Sequence, residues 1–464
     1  MSKERLFGTD GIRGVANRDI TASLALKLGM AAGHHVHAQA LRAEHKTQLG
    51  AGKPVVVIGR DTRLSGDMLE AALAAGLTST GVDVLNVGIV PTPAVAQLVI
   101  ALHASAGIVI SASHNPFEDN GIKFFGSDGK KLADYVEDEI EAILKDMDSL
   151  PLPVGGEIGR VHESREPVQI YRETVAASGG GFMIKPLQGL HLVMDCANGA
   201  AFEIAPELFT SLGAKLTLIH NTPNGVNINV DCGSTSTKGM AQKVIFSQAD
   251  AGIAFDGDAD RVMLADENGV IVDGDRMMAI IALYLKRQGK LTNNVVVATI
   301  MSNVGLEKAL EKEGVILHRT DVGDRYVGEA MVKLGAVVGG EQSGHILLPD
   351  QTPTGDGLVT ALLVLKIVRE TGKPLSELAG VVEAYPQRLK SIRVTTRAGW
   401  QEDEDILKAI HTNQKRLENP LWLSVRASGT EPLIRVMAQG VDQITVDSVV
   451  KNICDVVERK LVKQ

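Results

Sequence analysis

The sequence predicts an α/β protein built from three similar βαβ-containing units followed by a smaller α+β unit. Three observations lead there. At 464 residues the chain exceeds what one hydrophobic core supports, so several domains are expected. A hydrophobic fraction of 44% with only 3% aromatic residues and 48 glycines describes Ala, Val, Ile and Leu runs joined by tight loops, as strands buried on both faces read. A strand, helix, strand pattern recurs three times and then changes after Leu375.

The three repeats begin at Pro54 (PVVVIGRDTRLSGDMLEAALAAGLTSTGVDVLNVG), Gly189 (GLHLVMDCANGAAFEIAPELFTSLGAKLTLIH) and Asn294 (NVVVATIMSNVGLEKALEKEGVILHRT). Each supplies two apolar strands and the helical crossover that a parallel pair requires. Further on, each is followed by a short apolar strand running into a polar loop: AGIVISASHNP from Ala106, AGIAFDGDADR from Ala251 and GAVVGGEQSGH from Gly335. Ligands gather at the carboxyl ends of parallel strands, so these equivalent loops are expected to face a shared cleft. The last unit reads SIRVTT, a helix from about Glu404 to Leu417, WLSVRASGTEPLIRVMAQG and a final amphipathic helix. Pro/Gly-rich stretches divide the chain into 1–155, 156–268, 269–378 and 379–464.

The net charge of −9 and the lack of a long Lys/Arg block argue against a nucleic-acid partner. Three widely separated cysteines, Cys196, Cys232 and Cys454, form neither a disulfide framework nor a CxxC metal site. The opening MSKERLFGTDG lacks the apolar stretch of a signal peptide, and no apolar run approaches the ~20 residues that cross a bilayer. The expectation is a soluble cytoplasmic protein without a membrane partner.

Chemistry concentrates in the loops. In SASHNP, Ser113 follows an apolar strand, where its hydroxyl can serve as a nucleophile or phosphoryl carrier; an ordinary turn is the competing reading. His114 could donate to an anion or to a neighbouring loop. FDGDADR sets Asp256, Asp258 and Asp260 at alternate positions, from which they can converge on one hard cation such as Mg²⁺. A solvated acidic turn would give the same string, whereas an EF-hand would need its glycine elsewhere and a glutamate at the twelfth position. Arg261 could hold a phosphoryl oxygen or brace this loop. In GEQSGH, Glu341, Ser343 and His345 offer acceptors, a hydroxyl and an imidazole suited to sugar hydroxyls.

In the last unit, Arg426, Ser428, Gly429, Thr430 and Arg435 bring fork-shaped guanidiniums, hydroxyls and an open amide into one span, either a phosphate clamp or a structural turn. It is not a Walker A loop, which needs other glycine spacing and a lysine. Lys123 in NGIKFF and Arg13 in FGTDGIRG add cations to the first unit, where Lys123 could move a proton or stabilise charge. Gly8, Gly11 and Gly14 follow no strand and form no dinucleotide fingerprint. The GHHVH run from Gly33 is expected on an exposed helix face.

FGTDGIRG, SASHNP, DGDADR, GEQSGH and RASGTEPLIRV stand in the order and spacing of the α-D-phosphohexomutase superfamily, which the chain resembles from Phe7 to Arg435. VGDRYV from Val322, Gln342 and SGTEP resemble the branch that acts on glucosamine phosphates. Ser111 departs from the Thr that many relatives carry, a conservative change. The resemblance implies four domains around a central cleft and the interconversion of glucosamine 6-phosphate and glucosamine 1-phosphate, a step toward UDP-N-acetylglucosamine and peptidoglycan. It implies that Ser113 carries the phosphoryl group and that Asp256, Asp258 and Asp260 bind one Mg²⁺ with a phosphoserine oxygen. It places the sugar at Glu341 and Ser343, and the non-reacting phosphate at Arg426, Ser428, Gly429, Thr430 and Arg435.

On this reading, glucosamine 1,6-bisphosphate is the intermediate and activator, and the partner is a small sugar phosphate. A homodimer and an activating kinase or other phosphoryl donor are also admitted. The nearest alternative is a sister mutase acting on glucose or mannose phosphates. A metal-dependent phosphatase would not need the second phosphate clamp, and a sugar-phosphate sensor would need neither Ser113 nor the carboxylates.

Overall fold

The computed structural model describes residues 5–8, 10–42, 52–147, 150–396, 399–427 and 432–462. The chain forms two compact units, Met1–Tyr284 with Val337–Ala379, and Leu285–Ala336 with Gly380–Gln464.

In the first unit the chain runs β1 (Ile12–Val15), α1 (Ala22–Arg42), β2 (Val55–Arg60), α2 (Gly66–Ser79), β3 (Asp83–Ile89), α3 (Thr92–Ala101), β4 (Ala106–Ile110), β5 (Asp119–Gly126), α4 (Asp134–Lys145) and β6 (Val161–Glu163). These strands form one sheet in the order β1-β5-β4-β2-β3-β6. β2 pairs in parallel with β3 and β4, as the crossover through α2 requires, and β5 returns antiparallel to β4 and β1. The apolar run Val55–Ile58 is buried on both faces, which is why it reads as continuous hydrophobic sequence without alternation. The GHHVH run lies in α1 but only His37 is exposed; His35 is buried, with Nε2 2.7 Å from Gln39 and Nδ1 3.2 Å from Glu139. The expected exposed face is therefore corrected: α1 packs against both α2 and α4, which leaves His35 and Val36 of this run buried.

The second repeat continues with α5 (Val168–Ser178), β7 (His191–Asp195), α6 (Ile204–Ser211), β8 (Lys215–Ile219), α7 (Lys238–Ser247), β9 (Ala251–Phe255), β10 (Val262–Ala265), β11 (Ile271–Val272) and α8 (Gly274–Arg287). Its sheet order is β11-β10-β9-β7-β8, with β7 parallel to β8 and β9, and β10 antiparallel to its neighbours.

The third repeat supplies the parallel pair β12 (Val295–Thr299) and β13 (Ile316–Thr320), joined by α9 (Val304–Lys312) and followed by α10 (Asp324–Leu334). The strand expected from Gly335 is short: β14 covers only Gly339–Gly340 and turns back into β15 (Ile346–Leu347). Adjacent glycines bring no side chains to stiffen a strand, and the GEQSGH loop starts at once. Helices α11 (Gly357–Thr371) and α12 (Leu375–Ala379) complete the first unit, with α11 buried from Gly357 to Leu365.

The C-terminal part of the second unit contains β16 (Gln387–Arg393), α13 (Glu404–Gln414), β17 (Leu423–Ala427), β18 (Leu433–Gln439) and α14 (Gln443–Leu461). The antiparallel sheet β16-β18-β17 turns Ile434, Val436 and Ala438 into a core shared with Val446, Val450 and Ile453 of α14. No helix among the described residues is long and apolar enough to cross a membrane. The three cysteines are buried and unbridged.

Candidate active site

The carboxyl ends of β2, β4 and β9 bring their loops together within the first unit. Ser113, just beyond β4, is buried and left-handed (φ 54°), a conformation that a non-glycine residue keeps only where its surroundings hold it. Its hydroxyl donates to Asp256 Oδ2 at 2.7 Å and lies 3.2 Å from His114 Nδ1. Burial, and then the Arg261 and Arg13 cations, lower the His114 imidazole to about 4. It is therefore neutral at pH 7.

Asp256, Asp258 and Asp260 are all buried, and each turns a carboxylate oxygen to within 4.8 Å of the others. Burial and repulsion from Asp260 and Asp258 hold the Asp256 carboxyl well above the usual carboxylate range. Burial pushes Asp260 the same way, but Lys123, His345 and Arg261 draw it well below that range. Asp258 Oδ1 and Asp260 Oδ1 accept no hydrogen bond among the described residues. Buried oxygens left open beside two like charges fit a hard divalent cation, and oxygen donors of this kind suit Mg²⁺. The acidic triad can hold a metal.

Lys123 on β5 is buried beside that triad, its Nζ 2.7 Å from Asp258 Oδ2, 3.8 Å from Asp260 Oδ2 and 3.6 Å from Asp10 Oδ2. Burial works against its charge, but the carboxylates of Asp10, Asp258 and Asp260 overcome it and raise the ammonium pKa. Asp10 also pairs with Arg13 and Lys131. Thr92, at the start of α3, fixes the other side of the loop by donating its hydroxyl to Asp258 Oδ2 at 2.7 Å and its amide to Asp258 O at 2.9 Å.

The GEQSGH loop joins the same region. Val262, next to Arg261, donates its amide to Gly344 O, and a Cβ on Gly344 would lie 2.0 Å from Val262 O, so only glycine fits there. His345 Nδ1 is 3.7 Å from Asp260 Oδ2, and Ser343 donates to Glu341 Oε2 at 3.1 Å. Arg261 donates its amide to Asp256 Oδ1, and its guanidinium is 3.8 Å from Asp260.

Arg426 and Arg435 lie in the second unit, directly opposite each other on β17 and β18. They share the sheet face turned away from α14, because Ile434 and Val436 fill the other. Ser428, Gly429 and Thr430 fall outside the described residues.

Sequence reading passed over Asp10, Asp61, Arg63, Thr92 and Asn229. Asp61 and Arg63 follow β2 in GRDTR just as Ser113 follows β4, and that equivalence was the available signal. Arg63 is buried against the serine loop, and Asn229 reaches the same loop from the second repeat.

Four successive models of the phosphoglucomutase/phosphomannomutase class match this chain: alpha/beta/alpha domain I over residues 4–150, domain II over 174–269, domain III over 273–385 and the C-terminal domain over 389–456. The protein thus has a four-domain α/β phosphohexomutase fold with a smaller C-terminal domain. The chain is 50% identical over 456 residues to the phosphoglucosamine mutase of Carboxydothermus hydrogenoformans, covering 98% of this chain and 99% of that protein. Its identity to the phosphoglucosamine mutase of Pelotomaculum thermopropionicum is 48% over 454 residues, with the same coverage. A phosphoglucomutase/phosphomannomutase family protein from Burkholderia thailandensis shares the fold, with a TM-score of 0.77 at 24% identity over 99% of this chain and 98% of that one. The chain belongs to the phosphoglucosamine mutase family, isomerases of the phosphohexomutase superfamily.

Proposed function

We propose that the protein interconverts glucosamine 6-phosphate and glucosamine 1-phosphate through a phosphorylated Ser113 and glucosamine 1,6-bisphosphate. The observation that carries this reading is the Ser113 hydroxyl 2.7 Å from Asp256, beside three buried carboxylates and a buried lysine. Asp256, Asp258 and Asp260, with a phosphoserine oxygen, would hold one Mg²⁺, which when bound withdraws charge from the phosphoryl oxygens.

In the forward half-reaction the bond between phosphorus and Ser113 Oγ breaks as one forms to the free sugar hydroxyl, whose proton ends on Ser113 Oγ, leaving a bisphosphate and a free serine hydroxyl. After the sugar turns, the other phosphoryl group returns to Ser113 Oγ. Lys123 holds its proton at neutral pH among Asp10, Asp258 and Asp260, so it serves this exchange as a donor to developing negative charge and not as the base. Neutral His114 is within hydrogen-bond reach of Ser113 Oγ and orients it. Glu341, Ser343 and His345 would take the sugar, Arg261 a phosphoryl oxygen, and Arg426, Ser428, Gly429, Thr430 and Arg435 the phosphate that does not react. The division 1–155, 156–268, 269–378 and 379–464, supported by the four matched domain models, assigns these tasks in turn. A cytoplasmic location agrees with three buried, unbridged thiols.

Ser113→Ala should abolish isomerisation with the fold retained, and intact mass should show one phosphoryl group that phosphatase removes from the wild type only. Turnover by the Ala variant would end this reading. Parallel assays on glucosamine, glucose and mannose phosphates decide between this activity and that of a sister mutase, and free phosphate as the main product would mark a phosphatase.

A further inference from the structure

Arg63 is 1% exposed, and every nitrogen of its guanidinium is engaged by groups outside the acidic triad and the sugar loop. Nε meets Asp61 Oδ2 at 2.9 Å. One terminal nitrogen donates to Ser113 O and Asn115 O, both at 2.9 Å, and the other to Asp119 O at 3.0 Å and to Pro116 O. One planar fork thus collects four carbonyl oxygens of the turn that carries Ser113. Asp61 is held in turn by the Arg63 amide at 2.9 Å and the Ser111 hydroxyl at 2.6 Å, and Ser111 Oγ accepts the Ser113 amide at 2.9 Å. From the second repeat, Asn229 Nδ2 donates to the same two carbonyls, Ser113 O at 2.8 Å and Asn115 O at 3.1 Å.

These donors converge on the one residue of the SASHNP loop whose backbone is left-handed. A serine with φ of 54° relaxes to negative φ unless its flanking peptides are fixed, and that rotation would swing Oγ away from Asp256. Lysine cannot replace this arginine, because a point ammonium cannot reach four carbonyls in a plane.

We propose that Arg63, anchored by Asp61 and matched by Asn229 across the loop, is the positioning residue that fixes Ser113 so that its phosphoryl group goes to the sugar and not to water. The proposal rests on reading Ser113 as the phosphoryl carrier. Misplacing that group by about an ångström slows a step that needs alignment with a sugar hydroxyl by ~100-fold, but constrains attack by small, mobile water far less.

The test uses the full chain as wild type, Arg63→Lys, Asn229→Ala and Ser113→Ala, each incubated with glucose 1,6-bisphosphate and Mg²⁺. Isomerised product, inorganic phosphate and phosphoryl content by intact mass are followed together, with circular dichroism as the fold control. Arg63→Lys is expected to keep its circular dichroism, hold KM within about 2-fold, lose kcat by roughly 100-fold and raise the ratio of phosphate released to product at least ~10-fold. Asn229→Ala should move the same ratio in the same direction by a smaller factor. A fall in kcat with an unchanged ratio would mean only a smaller folded fraction and would overturn the proposal, as would wild-type kcat. If Arg63→Lys does not fold, a folded Asn229→Ala with the wild-type ratio overturns it equally. Turnover by Ser113→Ala would instead remove the carrier reading beneath it.

Discussion

Gly257 packs so closely on Ser113 that a Cβ at position 257 would lie 2.4 Å from the Ser113 carbonyl oxygen and 2.9 Å from Asn229 Nδ2. The oxygen belongs to backbone already gripped by Arg63 and Asn229, so it cannot give way. Gly257→Ala should therefore force the serine loop and the acidic loop apart, at a strain of about 1–3 kcal/mol. A displacement near 1 Å between phosphoryl carrier and metal ligands is expected to lower kcat by roughly 100-fold. Steady-state kinetics beside thermal unfolding check this; wild-type turnover in a folded variant would contradict it.

The acidic triad gives a prediction with opposite signs for stability and activity. Asp256, Asp258 and Asp260 repel one another in a buried site, so Mg²⁺ should raise the melting temperature of the chelator-treated protein. At about 100 times its Kd the cation contributes ~2.7 kcal/mol. Asp256→Asn keeps the shape of the protonated carboxyl that the metal-free site favours and cannot offer the cation a carboxylate. It should melt no lower than wild type in chelator, yet show neither the Mg²⁺-dependent rise nor turnover. A full Mg²⁺ shift in that variant would show that the cation is held elsewhere.

How much of this was legible before folding depends on whether the information is local. The parallel pairs β2–β3, β7–β8 and β12–β13 were readable because each strand, crossover and strand is contiguous and buried strands carry unbroken apolar runs. Ser113 and the three aspartates were readable for the same reason, each lying in the few residues after an apolar strand. Arg63 and Asn229 act instead on carbonyl groups of a loop 50 or more positions away, and a carbonyl leaves no mark in a sequence. Buried His35 shows a further limit: helical periodicity marks the apolar stripe but not how much of α1 is covered by two neighbouring helices.

Asp356 supplies the pH dependence. It caps α11, accepting from the Leu358 and Val359 amides and from the Tyr171 hydroxyl, while Gly357 beside it donates to Ala259 O in the acidic loop. Burial pushes its carboxyl up to about 7, despite the hydrogen bonds from Val359, Tyr171 and Leu358 that favour the charged form. The folded protein thus keeps this proton to higher pH than the unfolded chain, so the stability it contributes is present at low pH and lost as pH rises from about 4 to about 7. Asn caps helices as well as Asp does and carries no charge. The melting temperature of Asp356→Asn relative to wild type should therefore climb between pH 5 and pH 8, reflecting on the order of 2–4 kcal/mol. A difference that stays flat over that range would refute the raised carboxyl.

Arg426 faces Arg435 across β17 and β18 on the sheet face away from α14, so two guanidiniums present themselves to one side. If that face holds the phosphate that does not react, its contacts persist from the bound sugar phosphate through the transition state, and losing one weakens both equally. A hydrogen bond from a charged donor is worth about 1.5–3 kcal/mol, or roughly 10–100-fold in affinity. Arg426→Ala should accordingly raise KM for glucosamine 6-phosphate by about that factor, with kcat changed less than ~3-fold. The Mg²⁺-dependent rise in melting temperature should stay at its wild-type value, because the triad and Arg426 belong to different units of the chain. A large loss of kcat at unchanged KM would assign Arg426 to the transferring phosphoryl group instead, and an unchanged KM and kcat would remove it from the site.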